Sequence, residues 1–183
     1  MTVRAYVAKD RDAVESICLA TADTRLAKNK LMRDALLDCF CRWYLTNEPE
    51  NCFVALDGQD QPIGYILCAE DFARWESSFM KSLHGLLKNP VSKLMGRATV
   101  DSLRPYSTDY PAHLHIDILP AYQRQGIGGQ LLNALCDHLR EINIPGVMLS
   151  VAKDNEKGVG YYQKHGFELL GERKEELFFG IRV

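Results

Sequence analysis

Two hydrophobic periods alternate along the chain. Val3, Ala5 and Val7 alternate with Arg4 and Tyr6, the period-two rhythm of a strand over Val3–Val7. Asp10 then reads as the N-cap of a helix over Arg11–Thr21. Leu31, Met32, Ala35, Leu36, Cys39, Phe40, Trp43 and Tyr44 recur at helical spacing and predict one helix from Asn29 to Leu45 with a single buried stripe. After a turn at Asn47–Asn51, the short apolar runs Cys52–Leu56 and Pro62–Ala69 flank Asp57-Gly58 and read as a β-hairpin. Gly64 inside the second run signals a bulge or a close backbone approach.

Residues 70–111 are the least regular part. Phe72–Leu87 has helical spacing, whereas 88–111 mixes Asn-Pro, Arg-Pro and Tyr-Pro steps. A segment this long between two strands is an insertion. It is a candidate lid or acceptor-side wall bearing Trp75, Phe79, Tyr106 and Tyr110, and equally a packing element or a homodimer contact. From His113 to Leu119 the period is two again, with Leu114, Ile116 and Ile118 on one face and His115 and Asp117 on the other. Pro120 ends this strand. The glycine-rich turn Gly126-Ile-Gly-Gly129 opens an amphipathic helix through Arg140. Val147–Ala152 predicts the next strand, and Asp154 or Asn155 caps a helix to about His165, closed by Gly166 at C′. Phe167–Leu170 and Leu177–Val183 complete a strand pair. The order is that of a mixed α/β domain.

Composition narrows the classes. The 183 residues suit one domain, 1–183, and the formal net charge of −2 argues against a general nucleic-acid binder. No apolar run approaches the roughly 18 residues of a membrane span, and the N-terminus carries no apolar leader, so a cytoplasmic location without membrane attachment is expected. The six cysteines include no Cys-x-x-Cys pair, and no histidine pair stands at zinc-finger spacing, so no metal is expected. Reduced, core-filling cysteines are the expectation.

The chemistry concentrates in Asp117-Ile-Leu-Pro-Ala-Tyr-Gln-Arg-Gln-Gly-Ile-Gly-Gly-Gln-Leu-Leu132. A strand ends, a turn sheds its side chains, and a helix begins. Unpaired N–H groups at a helix N-terminus cradle phosphate oxygens. The P-loop's Lys-[Ser/Thr] is missing, because Gln130-Leu131 follow the glycines, and Leu131 stands where a dinucleotide fingerprint needs its third glycine.

Gln123-Arg-Gln-Gly126-Ile-Gly128 does fit Gln/Arg-x-x-Gly-x-Gly/Ala, and Asn155, Tyr162 and Gly166-Phe167 follow at the spacing Asn…Tyr-x-x-x-Gly-Phe. In these elements the chain resembles the GCN5-related N-acetyltransferases, strongly over Leu114–Leu170 and less over Val3–Ala69. The resemblance implies a mixed, mostly antiparallel sheet with flanking helices. It implies acetyl-CoA as co-substrate, with a small-molecule amine or a protein amine as acceptor.

It further implies that two parallel strands part, so that the backbone of Ile118 and Leu119 bonds the pantetheine arm. Gln123, Arg124, Gln125, Gly126, Ile127, Gly128 and Gly129 would surround the pyrophosphate, and Asn155 would touch the pantetheine or the reacting region. Tyr162 would be the general acid, donating a proton to the departing thiolate. Asp117 is the candidate base, with His115 and Glu70 as alternatives. Two glycines, Gly158 and Gly160, interrupt the helix before Tyr162 and either loosen it or make room for the cofactor. His84, His138 and His165 read as surface or cap residues. Cys68 is the one cysteine placed for a ping-pong route. Two other readings remain open: a CoA-binding regulatory module without turnover, and a nucleotide-binding domain sharing only the glycine-rich turn.

Overall fold

In the computed structural model, which describes residues 1–22, 27–85 and 89–183, a seven-stranded sheet has the order β1-β2-β3-β4-β5-β7-β6. The strands are β1 (Thr2–Ala5), β2 (Phe53–Leu56), β3 (Pro62–Ala69), β4 (Ala112–Ile118), β5 (Gly146–Ala152), β6 (Glu168–Arg173) and β7 (Glu176–Arg182). Every neighbouring pair is antiparallel except β4–β5. A mixed, mostly antiparallel α/β fold with flanking helices is therefore what the chain adopts. The helices are α1 (Arg11–Thr21), α2 (Lys30–Leu37), α3 (Trp43–Asn47), α4 (Phe72–Gly85), α5 (Pro90–Leu103), α6 (Ile127–Glu141) and α7 (Glu156–Lys164).

The alternation along each strand divides the core into two layers. On one face Tyr65, Leu67, Met148 and Phe178 pack against the α1–α5 layer, which contributes Val14, Ile17, Trp43, Tyr44, Trp75 and Phe79. On the other, Ile66, Leu114, Leu149 and Phe179 meet the α6 stripe Ile127, Leu131, Leu135 and Leu139. Gly64 sits where the β2–β3 register slips, opposite Ala55, and a Cβ there would meet Ile118 at 2.9 Å.

Several local readings change. The helix expected over Asn29–Leu45 is α2 and α3 joined by a π-turn at Asp38–Arg42. Asp10 stands at the N-cap of α1 but its carboxylate does not cap it. It accepts from Arg4 at 2.7 and 2.8 Å and from the Val7 N–H at 3.0 Å, tying β1 to the turn before α1. Residues 88–103, read as irregular, include α5, whose Asn89 side chain accepts from the Val91 and Ser92 N–H groups with Pro90 in the first turn. Asn-Pro here starts a helix, because proline at N1 lacks only a donor that would go unused. Of the stripe expected over Phe72–Leu87, Phe72, Trp75, Phe79 and Leu83 are buried, and Leu86 and Leu87 lie outside the described residues.

The insertion does not wall the acceptor side with its aromatics. Trp75 and Phe79 are fully buried and stacked at 4.8 Å, Tyr110 is buried under the Arg182 guanidinium, and Tyr106 packs on Phe178.

Candidate functional site

β4 and β5 pair only at Ala112–Val147 and His113–Met148, and then part. The Leu119 N–H donates to the Ile63 carbonyl at 2.9 Å, while Gly64 stands opposite Ile118. In an antiparallel ladder this register points the backbone groups of Ile118 away from β3, into the gap beside β5. Leu119 is different: its N–H is taken by Ile63 and its carbonyl accepts from the Tyr122 N–H. Its N–H is therefore not free for a pantetheine arm, while its carbonyl keeps one lone pair. The Ile118 carbonyl already accepts from the Gln123 side-chain amide at 3.0 Å, which pins the following turn to the strand end.

The turn presents a row of unpaired backbone N–H groups at the start of α6. Gly126 is the N-cap of α6 with φ +79°, a left-handed conformation that favours glycine. Arg124 is left-handed too, at φ +61°, which is unusual for a residue with a Cβ. The N–H groups of Arg124, Gln125, Gly126, Ile127, Gly128 and Gly129 find no acceptor within hydrogen-bonding distance among the described residues. Gln125 turns its side-chain amide back to the Ala121 carbonyl at 3.1 Å. Gly128 has a packing reason to be glycine: a Cβ would stand 2.9 Å from the Tyr161 ring.

Asn155 caps α7, accepting from the Gly158 N–H at 3.0 Å. That cap explains Gly158, whose Cβ would press on the Asn155 amide, whereas Gly160 faces open space. Tyr162 lies on α7 among Phe167, Phe179 and Tyr161. Burial pushes its hydroxyl above the ordinary phenol range, and the Asp117 carboxylate adds to this. The two side chains are thus within electrostatic reach of each other, although they come from different elements.

Asp117 is held on the α1–α2 side of β4. Tyr65, buried in β3, donates its hydroxyl to Oδ2 at 2.5 Å. Burial raises the Asp117 carboxyl to about 6, with the Tyr65 bond and Thr21 pulling the other way. A cleft of about 200 Å³ opens onto it, walled by Cys18, Ala22, Leu36 and Phe40 from the helices and by His115 beside Asp117. His115 is kept neutral, its imidazole lowered to about 4 by burial. Its Nε2 bonds the Tyr44 hydroxyl at 3.0 Å, and that hydroxyl bonds Nε2 of buried His113 at 2.7 Å. One hydroxyl between two neutral imidazoles donates to one and accepts from the other.

The remaining candidates are placed elsewhere. Glu70 follows β3 at the end where β4 and β5 stay paired. It bonds Arg74 at 2.6 Å and Asn51 at 3.0 Å. Burial opposes its ionisation, but Arg74 and Asn51 outweigh it and hold the carboxyl below its ordinary range, so it is a structural ion-pair member rather than a base. His138 is not unpartnered, since its Nε2 meets Asn51 Oδ1 at 2.7 Å. His165 closes α7, with Nδ1 2.8 Å from the Tyr161 carbonyl. The His84 side chain lies outside the described residues. Cys68 is fully buried, and burial pushes its thiol well above its ordinary range, which disfavours the thiolate a nucleophilic route needs. All six cysteines are free and buried. Among the described residues no group of three His, Cys, Asp or Glu could hold a metal, and no helix is long and apolar enough to cross a membrane.

Sequence reasoning missed Tyr65, Thr21 and Phe40. None carries a motif, and each reaches the site only through tertiary packing.

Known proteins share this fold. The crystal structure of SsHAT superposes with a TM-score of 0.85 at 28% identity, over 99% of this chain and 97% of that one. The polyamine N-acetyltransferase of Drosophila melanogaster, which forms N-acetylagmatine, superposes at 0.70 with 14% identity over 100% and 99% of the two chains. The PaiA N-acetyltransferase of Thermoplasma acidophilum, solved with coenzyme A, does so at 0.65 with 14% identity over 100% and 98%. The last two show a common fold. A family model described as the acetyltransferase (GNAT) family matches residues 18–167, a span holding the parted strands, the glycine turn and Tyr162, and the chain belongs to that family.

Proposed function

We propose that residues 1–183 act as one N-acetyltransferase domain that moves an acetyl group from acetyl-CoA to a primary amine by direct attack in a ternary complex. The observation that carries this reading is the parting of β4 and β5 beside the row of backbone N–H groups at Arg124–Gly129 that have no acceptor among the described residues. The residues present fit the co-substrate. The unpaired N–H groups of Arg124–Gly129 offer donors to a pyrophosphate without needing net positive charge. The Ile118 backbone faces the gap where an amide-bearing arm would lie, the Leu119 carbonyl keeps one lone pair for it, and Asn155 stands at the N-cap of α7.

Acetyl-CoA supplies an electrophilic thioester carbonyl and a thiol leaving group. Asp117 accepts a proton from the ammonium form of the acceptor, which makes the nitrogen nucleophilic, and its raised carboxyl suits that exchange near neutrality. Tyr162 holds its proton firmly until sulfur departs and then donates it to the thiolate. The two sites align the reactants, so orientation supplies much of the rate.

Tyr162→Phe tests the assignment against the alternative of a CoA-binding module without turnover. The expected result is a kcat lower by about 10²-fold or more, with the thermal shift given by CoA unchanged. CoA binding without acetyl transfer to any amine, in the wild type, would establish the module. Stabilisation by ATP or NAD with CoA inert would overturn both.

A further inference from the structure

We propose that the acceptor is a small primary monoamine with a compact apolar or aromatic body, rather than a polyamine or a protein amine. The inference rests on the acetyltransferase reading and concerns the cleft that opens onto Asp117. Its volume, about 200 Å³, is below the roughly 300–1,000 Å³ of pockets for drug-sized ligands. A single ring or short alkyl body fills such a space.

The charge pattern is equally selective. Asp117 is the one carboxylate among the described lining residues, and His115 beside it is neutral near pH 7. The cleft therefore compensates one cation. The other described lining residues are Leu36, Phe40, Ala22, Cys18 and Thr21, whose hydroxyl is donated to the Ile17 carbonyl at 2.9 Å. The second ammonium of a polyamine, laid against Leu36 and Phe40, would be desolvated without a partner, which is strongly unfavourable. An apolar body in the same place removes its own surface and that of Leu36 and Phe40 from water.

The aromatic part of the wall is held in position by the fold. Phe40 projects from the π-turn Asp38–Arg42 and meets the His115 ring edge-on at 5.3 Å. Asp38 anchors the turn, accepting from Arg42 at 3.1 Å and from the Ser92 hydroxyl of α5 at 2.9 Å. Arg42 also bonds Glu15 of α1 at 3.1 Å. Such turns inside helices recur at functional sites, where they re-aim side chains. The insertion thus contributes to the acceptor side by buttressing Phe40 through Ser92, not by lining the cleft with its own aromatics.

The test is acetyl-CoA turnover by the full chain, read as thiol release and product mass, over three sets of acceptors. These are 2-phenylethylamine, tyramine and tryptamine; putrescine, spermidine and agmatine; and short peptides with a free N-terminus or lysine. The expected kcat/KM is higher for the first set by about tenfold or more, the scale of discrimination an apolar pocket gives. Phe40→Ala is expected to raise KM for 2-phenylethylamine more than it lowers kcat, and to reduce its preference over ethylamine by about tenfold. Preferred turnover of polyamines or peptides would overturn the proposal and leave the acetyltransferase reading standing. An equal loss on 2-phenylethylamine and ethylamine in Phe40→Ala would overturn it too. Failure of every amine, with CoA still binding, would overturn both.

Discussion

Replacing Asp117 by asparagine separates what burial does for chemistry from what it costs in stability. The carboxyl is raised from 3.8 to about 6, chiefly by burial. A difference of about 2 in pKa corresponds to about 3 kcal/mol between the two protonation states. Because the folded value lies above the unfolded one, the folded chain binds this proton more tightly than the unfolded chain does. Below about pH 3.8 both states are protonated and nothing is lost. Between about 3.8 and 6 stability falls as pH rises, and above 6 the full penalty of the buried charge is in place. Asparagine has nearly the same shape, still accepts from Tyr65 and never ionises. Asp117→Asn is therefore expected to be the more stable protein at pH 8, by up to about 3 kcal/mol, which for a chain this long is roughly 6–12 °C in Tm. Its advantage shrinks toward zero at pH 4. Thermal unfolding of both proteins across pH 4–8 gives the difference directly, since groups shared by the two cancel. The same variant is expected to lose about 10²-fold or more in kcat/KM. An asparagine variant no more stable than wild type at pH 8, or a difference that does not change with pH, would refute the argument that Asp117 is a desolvated charge held for catalysis.

Three further outcomes follow from the geometry. The rate is expected to fall with one proton's slope below about pH 6 as Asp117 becomes protonated, and Tyr65→Phe, which removes a bond to the carboxylate, moves that limb upward in a pH–rate profile; an unmoved limb would remove Tyr65 as the residue positioning Asp117. Gly128→Ala places a Cβ 2.9 Å from Tyr161 and is expected to destabilise by about 1–3 kcal/mol, while Gly160→Ala, which meets nothing, is expected to stabilise α7 by up to about 1 kcal/mol; denaturant midpoints check both, and the same sign for the two would contradict the packing described. Cys68→Ala is expected to retain its kcat and to leave no acetyl-enzyme detectable by mass spectrometry, because the thiol is buried and protonated; loss of turnover in a folded variant would revive a ping-pong route.

Much of the molecule was legible in the chain because its signals are local. The Gly126–Gly129 turn, the cap at Asn155 and the C′ glycine at Gly166, whose φ is +83°, depend on neighbours a few residues away. The strand alternation that put His115 and Asp117 on one face is also local. Two local signals were misread. Asn89-Pro90 was taken for a break and starts α5, and the stripe through Cys39 and Phe40 hid a π-turn, because one extra residue per turn barely disturbs an apolar pattern.

Sequence alone determined the order of the strands, the glycine-rich turn and the family resemblance, for these follow from backbone conformation and side-chain period. Only the tertiary structure decided which groups meet. Tyr65 reaches Asp117 across 52 residues of chain, Tyr44 bridges His113 and His115, and the Leu119 N–H is taken by the Ile63 carbonyl. The raised carboxyl of Asp117 also belongs to the folded state, because desolvation exists only once α1, α2 and β3 have closed around the strand. A carboxylate on an alternating strand is ordinary in sequence, and burial beside a single phenol makes it a candidate base.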